Sequence, residues 1–235
     1  MRLQPLFVSL ALAAPFALLP SASLSAAPAA AARQADTAPV LVTAAQWQQM
    51  ASEGRRYPWF AKEQARTEAT LKKMMKAGID VPVPRDKGGG RTHEQHKRNY
   101  QALLAAGTLF RLTGDRTYVD YARDMLLQYA QLYPTLGPHP EGRGQIPGRV
   151  FWQVLNDSVW LVNAIQGYDA IRDVLSAEDR NTIESKVFRP MAEFLVSEPK
   201  NYDQIHNHAT WAVAATGMTG YVLRDQELVE KSLRG

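Results

Sequence analysis

Apolar residues recur at steps of three and four along most of this chain, and alternation at steps of two, the mark of a half-buried strand, is almost absent. In "NYQALLAAGTLFRLTGD" the stripe is Tyr100, Leu103, Leu104, Gly107 and Phe110, and "TGD" supplies a turn. The next stripe, Tyr118, Tyr121, Ala122, Met125, Leu126, Tyr129 and Leu132, stops at Pro134, Gly137, Pro138 and Pro140. A third opens with Trp152, Leu155, Val159 and Val162. A fourth follows Ser176, which can cap a helix together with Asp179, and carries Ile183, Val187, Met191 and Phe194. The fifth starts near Thr210 and runs through Ala214, Met218 and Tyr221, and "RDQELVEKSLRG" opens a sixth. The pattern predicts an all-α array of helical hairpins, two of them of similar length over residues 93–133 and 150–196. Stacked hairpins of this kind form a toroid or solenoid, whose loops at one end surround a concavity suited to a long ligand.

Residues 1–26 break the pattern. Arg2, the apolar run from Leu6 to Leu19 and the small residues of "SASLSAAPAAAA" read as a secretory signal, too short to be a membrane span once its flanks are considered. The expected product is periplasmic or secreted and free of the membrane after signal removal, with an Ala-rich connector over 27–43 and the helical region over 44–235. The chain contains no cysteine, so disulfides, thiolate metal sites and thiol nucleophiles are excluded despite export. With 27 Lys+Arg against 23 Asp+Glu the net charge is +4, which mildly favours an anionic ligand. No long basic run or basic-aromatic stripe suggests nucleic acid.

Three polar clusters interrupt the helices. In "RDKGGGRTHEQHKRNY" the glycines lack the lysine and hydroxyl of a phosphate loop, and His93 and His96 fall one residue short of the zinc-protease spacing. His93 there is either part of a solvated helix start or a ligand contact. In "HPEGRGQIPGRVFWQVLND" a Gly/Pro loop carries Arg143, Gln145 and Arg149 into a helix opened by Trp152 and Gln153. Arginine can fork onto a carboxylate and an indole can stack on a sugar; equally, Arg149 can be a surface charge and Trp152 a core anchor. The third cluster is "NYDQIHNHATW". Asn207 stands where a helix cap would stand, but His206 and His208 beside it exceed what a cap needs.

These motifs, "GGGRTHEQHKRNY", "LYPTLGPHPEGRG", "FWQVLNDSVWLV" and "HNHATWAVAATGMTGYVL" in that order, closely resemble the N-terminal helical domain of the oligoalginate lyases, polysaccharide lyase family seventeen, from about Trp47 to Gly235. The resemblance implies an (α/α) toroid followed by a β-sandwich region that nothing here matches, so the toroid itself is expected to be incomplete. It implies exolytic cleavage of alginate oligosaccharides to unsaturated monouronates, with no cofactor. It also implies that Asn207 and His208 match the asparagine-histidine pair of the catalytic cleft, while the family's catalytic tyrosine belongs to a later segment. A lyase abstracts the C5 proton beside a carboxylate, and donors aimed at that carboxylate stabilise the enolate-like state as an oxyanion hole does. Asn207 is therefore expected to neutralise the carboxylate, and His208 to share that role or act as base. Arg149, Gln153, His206, Trp152 and His93 are expected to hold neighbouring sugars, and no metal is required.

Other readings fit the same residues. A lyase of a heparin-like or glucuronan polymer would need the same neutralisation. A glycoside hydrolase on a helical toroid would need two carboxylates, for which Glu94, Asp157 and Asp203 are available. A non-catalytic carbohydrate binder, or an incompletely folded piece of an enzyme, would expose apolar helix faces.

Overall fold

The amphipathic stripe from Tyr118 to Tyr129 folds as read: in the computed structural model, which describes residues 37–203 and 205–234, these apolar side chains are buried on one face of a single helix. All regular structure among the described residues is helical. The elements are α1 (Ala44–Glu53), α2 (Pro58–Ala77), α3 (Arg91–Thr113), α4 (Thr117–Leu132), α5 (Val154–Asp169), α6 (Ala177–Ile183), α7 (Arg189–Val196), α8 (Pro199–Tyr202), α9 (Asn207–Leu223) and α10 (Gln226–Ser232). The signal segment and most of the connector lie outside the described residues. No helix among the described residues is long and apolar enough to cross a membrane.

Local chemistry sets the boundaries. Thr43 and Gln46 form a reciprocal capping box at the start of α1, and Pro58 occupies the first turn of α2, where its missing N–H costs nothing. Helix α3 ends at Gly114, whose φ of 76° suits a residue without a β-carbon. The Ser176 hydroxyl accepts from the Asp179 N–H as the sequence predicts. The fourth stripe is one helical run broken by a π turn, Glu184–Phe188, in which the Arg189 N–H reaches back to the Glu184 carbonyl. Pro190 follows and has no N–H to continue an α ladder, which accounts for the irregularity there.

The helices form two layers. His93 packs against Phe151 near the starts of α3 and α5, and Gly107 meets Gly167 near their ends, so α3 and α5 run parallel. Tyr168 near the end of α5 packs at 4.8 Å on Phe188 just before α7, while Arg149 ahead of α5 lies over Phe194 late in α7, so α5 and α7 are antiparallel. Asp225, just beyond α9, pairs with Arg189 at the start of α7, which reverses the direction again. Helices α3, α5 and α9 therefore form an inner layer with their N-termini at one end, backed by α4 and by α6 and α7. This is the architecture of an all-α toroid segment. Tyr129, Trp160, Phe188 and Tyr168 fill the space between the layers.

Two predicted stripes are corrected. In α5 the residues Trp152, Leu155, Val159 and Val162 are only half-buried, and the core face is Val154, Trp160, Leu161, Ala164, Ile165 and Tyr168. In α9, Ala214 and Tyr221 are exposed and Met218 half-buried, whereas Ala209, Ala212, Ala215, Thr216, Thr219 and Val222 are buried. Both helices are apolar on several sides, so periodicity cannot choose the face that the neighbours cover.

Candidate active site

The parallel inner helices bring their three N-termini to the same end, where the partial positive charge of each helix favours an anion. All three polar clusters of the sequence lie there.

The first cluster folds against the second. His96 is fully buried on α3. Asn99 donates to the Tyr129 hydroxyl at 3.1 Å, leaving that hydroxyl to donate to His96 Nδ1 at 2.7 Å, which places the imidazole proton on Nε2. Nε2 faces the Pro82 carbonyl without hydrogen-bond geometry. Burial pushes the His96 pKa down to about 4. Tyr129 takes one ring nitrogen of this buried residue inside the core, which answers the zinc-like spacing. His93 is only 6% exposed; its ring meets Phe151 edge-on at 4.9 Å, its Nδ1 has no partner, and desolvation lowers its pKa. Trp152 is half-buried beside the triple-glycine loop, where a β-carbon on Gly88 would lie 3.5 Å from the indole nitrogen.

A pH-dependent prediction follows from His96. Its folded pKa lies below the usual 6.5, so the native state resists protonation and stability is lost as pH falls through the window from about 6.5 to about 4. Asp157 and Asp169 shift upward and act in the opposite sense, so the His96 contribution is isolated by difference. His96→Gln is expected to be less stable than wild type above pH 6.5, with the gap narrowing by about 3 kcal/mol by pH 4. Urea titrations of both proteins across that window measure it; a constant gap would contradict it.

The second cluster is held by Asp157, a residue sequence reasoning placed only among possible hydrolase acids. Its carboxylate is fully buried and accepts from the backbone N–H of Arg149 (2.7 Å), Phe151 (2.8 Å) and Val150 (3.4 Å). Full burial pushes its pKa up to about 7, against the pull of those three donors. Gly148 is required alongside, since a β-carbon there would sit 2.6 Å from Asp157 Oδ1. The signal available in the sequence was an aspartate in the first turn of a helix behind a Gly/Pro loop. His139 also went unnoticed: it is buried, its Nδ1 accepts from the Glu141 N–H, and its own N–H donates to the Gly148 carbonyl. With the loop pinned this way, Arg149 lays its guanidinium 4.8 Å from the centre of Phe194 and 5.6 Å from that of Tyr133. Gln153 caps the backbone start of α5 and donates to Gln145 at 3.0 Å.

The third cluster opens α9. The cap is His206, not Asn207: His206 Nδ1 accepts from the His208 N–H at 3.0 Å, and the two rings meet edge-on at 5.0 Å. Asn207 is displaced to the first helical position and stands exposed, so its amide is not consumed by capping. His208 is half-buried, and desolvation, followed by the charge of His206, lowers its pKa, which keeps it neutral near pH 7. Among the hydrolase alternatives, Asp157 is buried under three N–H donors, Glu94 is ion-paired to Lys97 at 3.0 Å, and Asp203 is exposed. No set of three or more His, Asp or Glu among the described residues is arranged to hold a metal.

The comparison with known sequences is decisive at the family level: the alginate lyase profile matches residues 24–235. The chain belongs to the alginate lyase family. It is 98% identical over 235 residues to an alginate lyase of Stenotrophomonas maltophilia (strain K279a), covering 100% of this chain and 32% of that protein. It is 53% identical over 197 residues to an exo-oligoalginate lyase of Saccharophagus degradans (strain 2-40), covering 83% of this chain and 27% of that protein. The chain thus spans about a third or less of the length of these relatives.

Proposed function

We propose that this chain forms one wall of a polyuronate lyase cleft that acts on alginate oligosaccharides by β-elimination, exolytically, in the manner of polysaccharide lyase family seventeen. The observation that carries the reading is Asn207: an exposed amide relieved of capping duty by His206, beside a neutral His208, at the common end of three helix N-termini. In the reaction the C5 proton is removed, the C5 electron pair becomes the C4–C5 double bond, and the C4–oxygen bond breaks with its electrons going to the oxygen, which takes up a proton and departs as a hydroxyl. Proton removal places charge on the carboxylate. The Asn207 amide donates to that carboxylate, and the helix N-termini lower the energy of the accumulating charge. His208 donates likewise or takes the C5 proton, which its neutral form can do. Arg149, Gln153, Trp152, His206 and His93 lie at the same end and serve the neighbouring uronates, Arg149 through its guanidinium. The name of the Saccharophagus relative, exo-oligoalginate lyase, supports the exolytic preference. The N-terminal segment supports a place of action outside the cytoplasm.

The test is the ultraviolet absorbance of the conjugated product when the protein is incubated with alginate oligosaccharides, with heparin-like and glucuronan oligosaccharides in parallel. A rise with alginate, and monomer as the first product, is expected. New reducing ends without absorbance would indicate hydrolysis and sink the reading.

A further inference from the structure

At the far end of the molecule, "RRYPWF" carries an exposed aromatic pair that the cleft does not use. Trp59 is 73% exposed and Tyr57 59%. Arg55, Arg56 and Lys62 beside them are exposed and form no ion pair among the described residues, whereas the nearby Arg66 is occupied by Glu63 at 2.7 Å. The backbone presents this group firmly: Gly54 is buried and would strike the Phe60 ring at 2.4 Å if it carried a β-carbon, and Pro58 starts α2. Trp59 also edges a cleft of about 210 Å³ whose floor is Leu109 and Leu112, late in α3. The candidate active site lies at the start of α3, roughly 25 Å away along the helix axis.

We infer that this surface is a second, non-catalytic binding site for an acidic polysaccharide chain of the same uronate class as the substrate. An indole and a phenol offer faces on which sugar rings stack, and the two consecutive arginines of the 3-10 turn Gly54–Arg56 offer forks for ring carboxylates. A chain carrying one carboxylate per sugar matches a surface that sets cations beside aromatic faces. A lipid surface fits less well, because the exposed residues that follow Trp59 on α2 are the short Ala61 and the charged Lys62, which offer no long apolar chain to the acyl region. A second copy of the chain fits less well too, since a symmetric contact would bring two copies of the same cationic patch together. Holding polymer here raises the local concentration of chain ends at the cleft. The inference rests on the polyuronate reading above.

Affinity electrophoresis in gels containing alginate polymer tests it without requiring turnover. Wild type is expected to be retarded, increasingly so at low salt, and Trp59→Ala and the pair Arg55→Ala/Arg56→Ala to weaken retention about five- to tenfold. Trp59→Phe, which keeps a stacking face, is expected to recover most of it. Unchanged unfolding temperatures in these variants exclude a folding effect, as the side chains are exposed. Retention untouched by the substitutions would overturn the site, as would equal retention by polyglutamate, which would show charge recognition alone. Trp59-dependent binding to anionic phospholipid vesicles without alginate retention, or Trp59-dependent dimers in sedimentation, would assign the surface to a membrane or to self-association and equally overturn it. Retention without any unsaturated product would fault the enzyme reading and leave this one standing; product formation with retention unaffected by the variants would do the reverse.

Discussion

Replacing Asn207 by alanine is expected to slow elimination about 10²- to 10³-fold while leaving the fold intact. Asn207 is exposed at the first position of α9 and is not the cap, so its loss removes no hydrogen bond that holds the helix. The amide is instead a preorganised donor for charge that appears only as the C5 proton leaves, and losing one such donor costs about 3 to 4 kcal/mol in the barrier. Because the interaction belongs to the transition state, the loss should fall on kcat, with KM for oligosaccharide changing little. Steady-state kinetics on alginate oligosaccharides together with a thermal melt measure both halves of the expectation. A large rise in KM at unchanged kcat would instead make Asn207 a plain binding residue. The His208 variant adds a pH signature: its lowered pKa puts the acid limb of the wild-type rate profile below the ordinary histidine value of 6.5, and replacing His208 should remove that limb.

Gly167→Ala is expected to destabilise the protein by about 3 kcal/mol or more, without touching any candidate site residue. A β-carbon at position 167 would lie 2.3 Å from the Leu103 carbonyl oxygen and 2.6 Å from its carbon. Both atoms belong to the α3 backbone, so the crossing of α3 and α5 must open and the aromatic packing between the layers must loosen with it. Position 107 faces the same contact, where an added β-carbon would meet the Gly167 carbonyl at 2.4 Å. A fall in Tm of roughly 6 to 12 °C would follow for a domain of this size. Gly137→Ala provides the control, having nothing within 4 Å of the added carbon. If both variants melt alike, close backbone approach is not what these glycines provide.

The same crossing shows why some elements were legible in the sequence and others were not. Helix α4 lies on the outside, so water and core impose opposite demands on its two faces, and its stripe from Tyr118 to Tyr129 reads directly. Helices α5 and α9 are inner elements with neighbours on several sides. Their apolar residues satisfy several faces at once, and the stripes chosen from periodicity were the half-buried or exposed ones. Even Tyr221, at 56% exposure, looked like a core residue by spacing alone. Gly107 fits an apolar stripe by spacing, but its role depends on the Gly167 backbone that lies opposite it.

The candidate site divides in the same way. Its residue types were visible because His-Asn-His and a Gly/Pro loop with Arg149 are unusual in helical sequence, and their order along the chain carried the family resemblance. Which of those residues are free to meet a ligand was not visible, because that depends on partners distant in sequence. His96 resembled a ligand until Tyr129, 33 residues later, took its Nδ1. Asn207 resembled a cap until the backbone turned His206 into that position. Asp157 resembled an acid for catalysis until three loop N–H groups closed over it. Local periodicity and turn chemistry thus determined by themselves that the chain is helical and where its polar loops fall. Only the tertiary structure decided which faces are buried and which polar atoms remain unspent, because burial and hydrogen-bond satisfaction are properties of neighbours and not of residues.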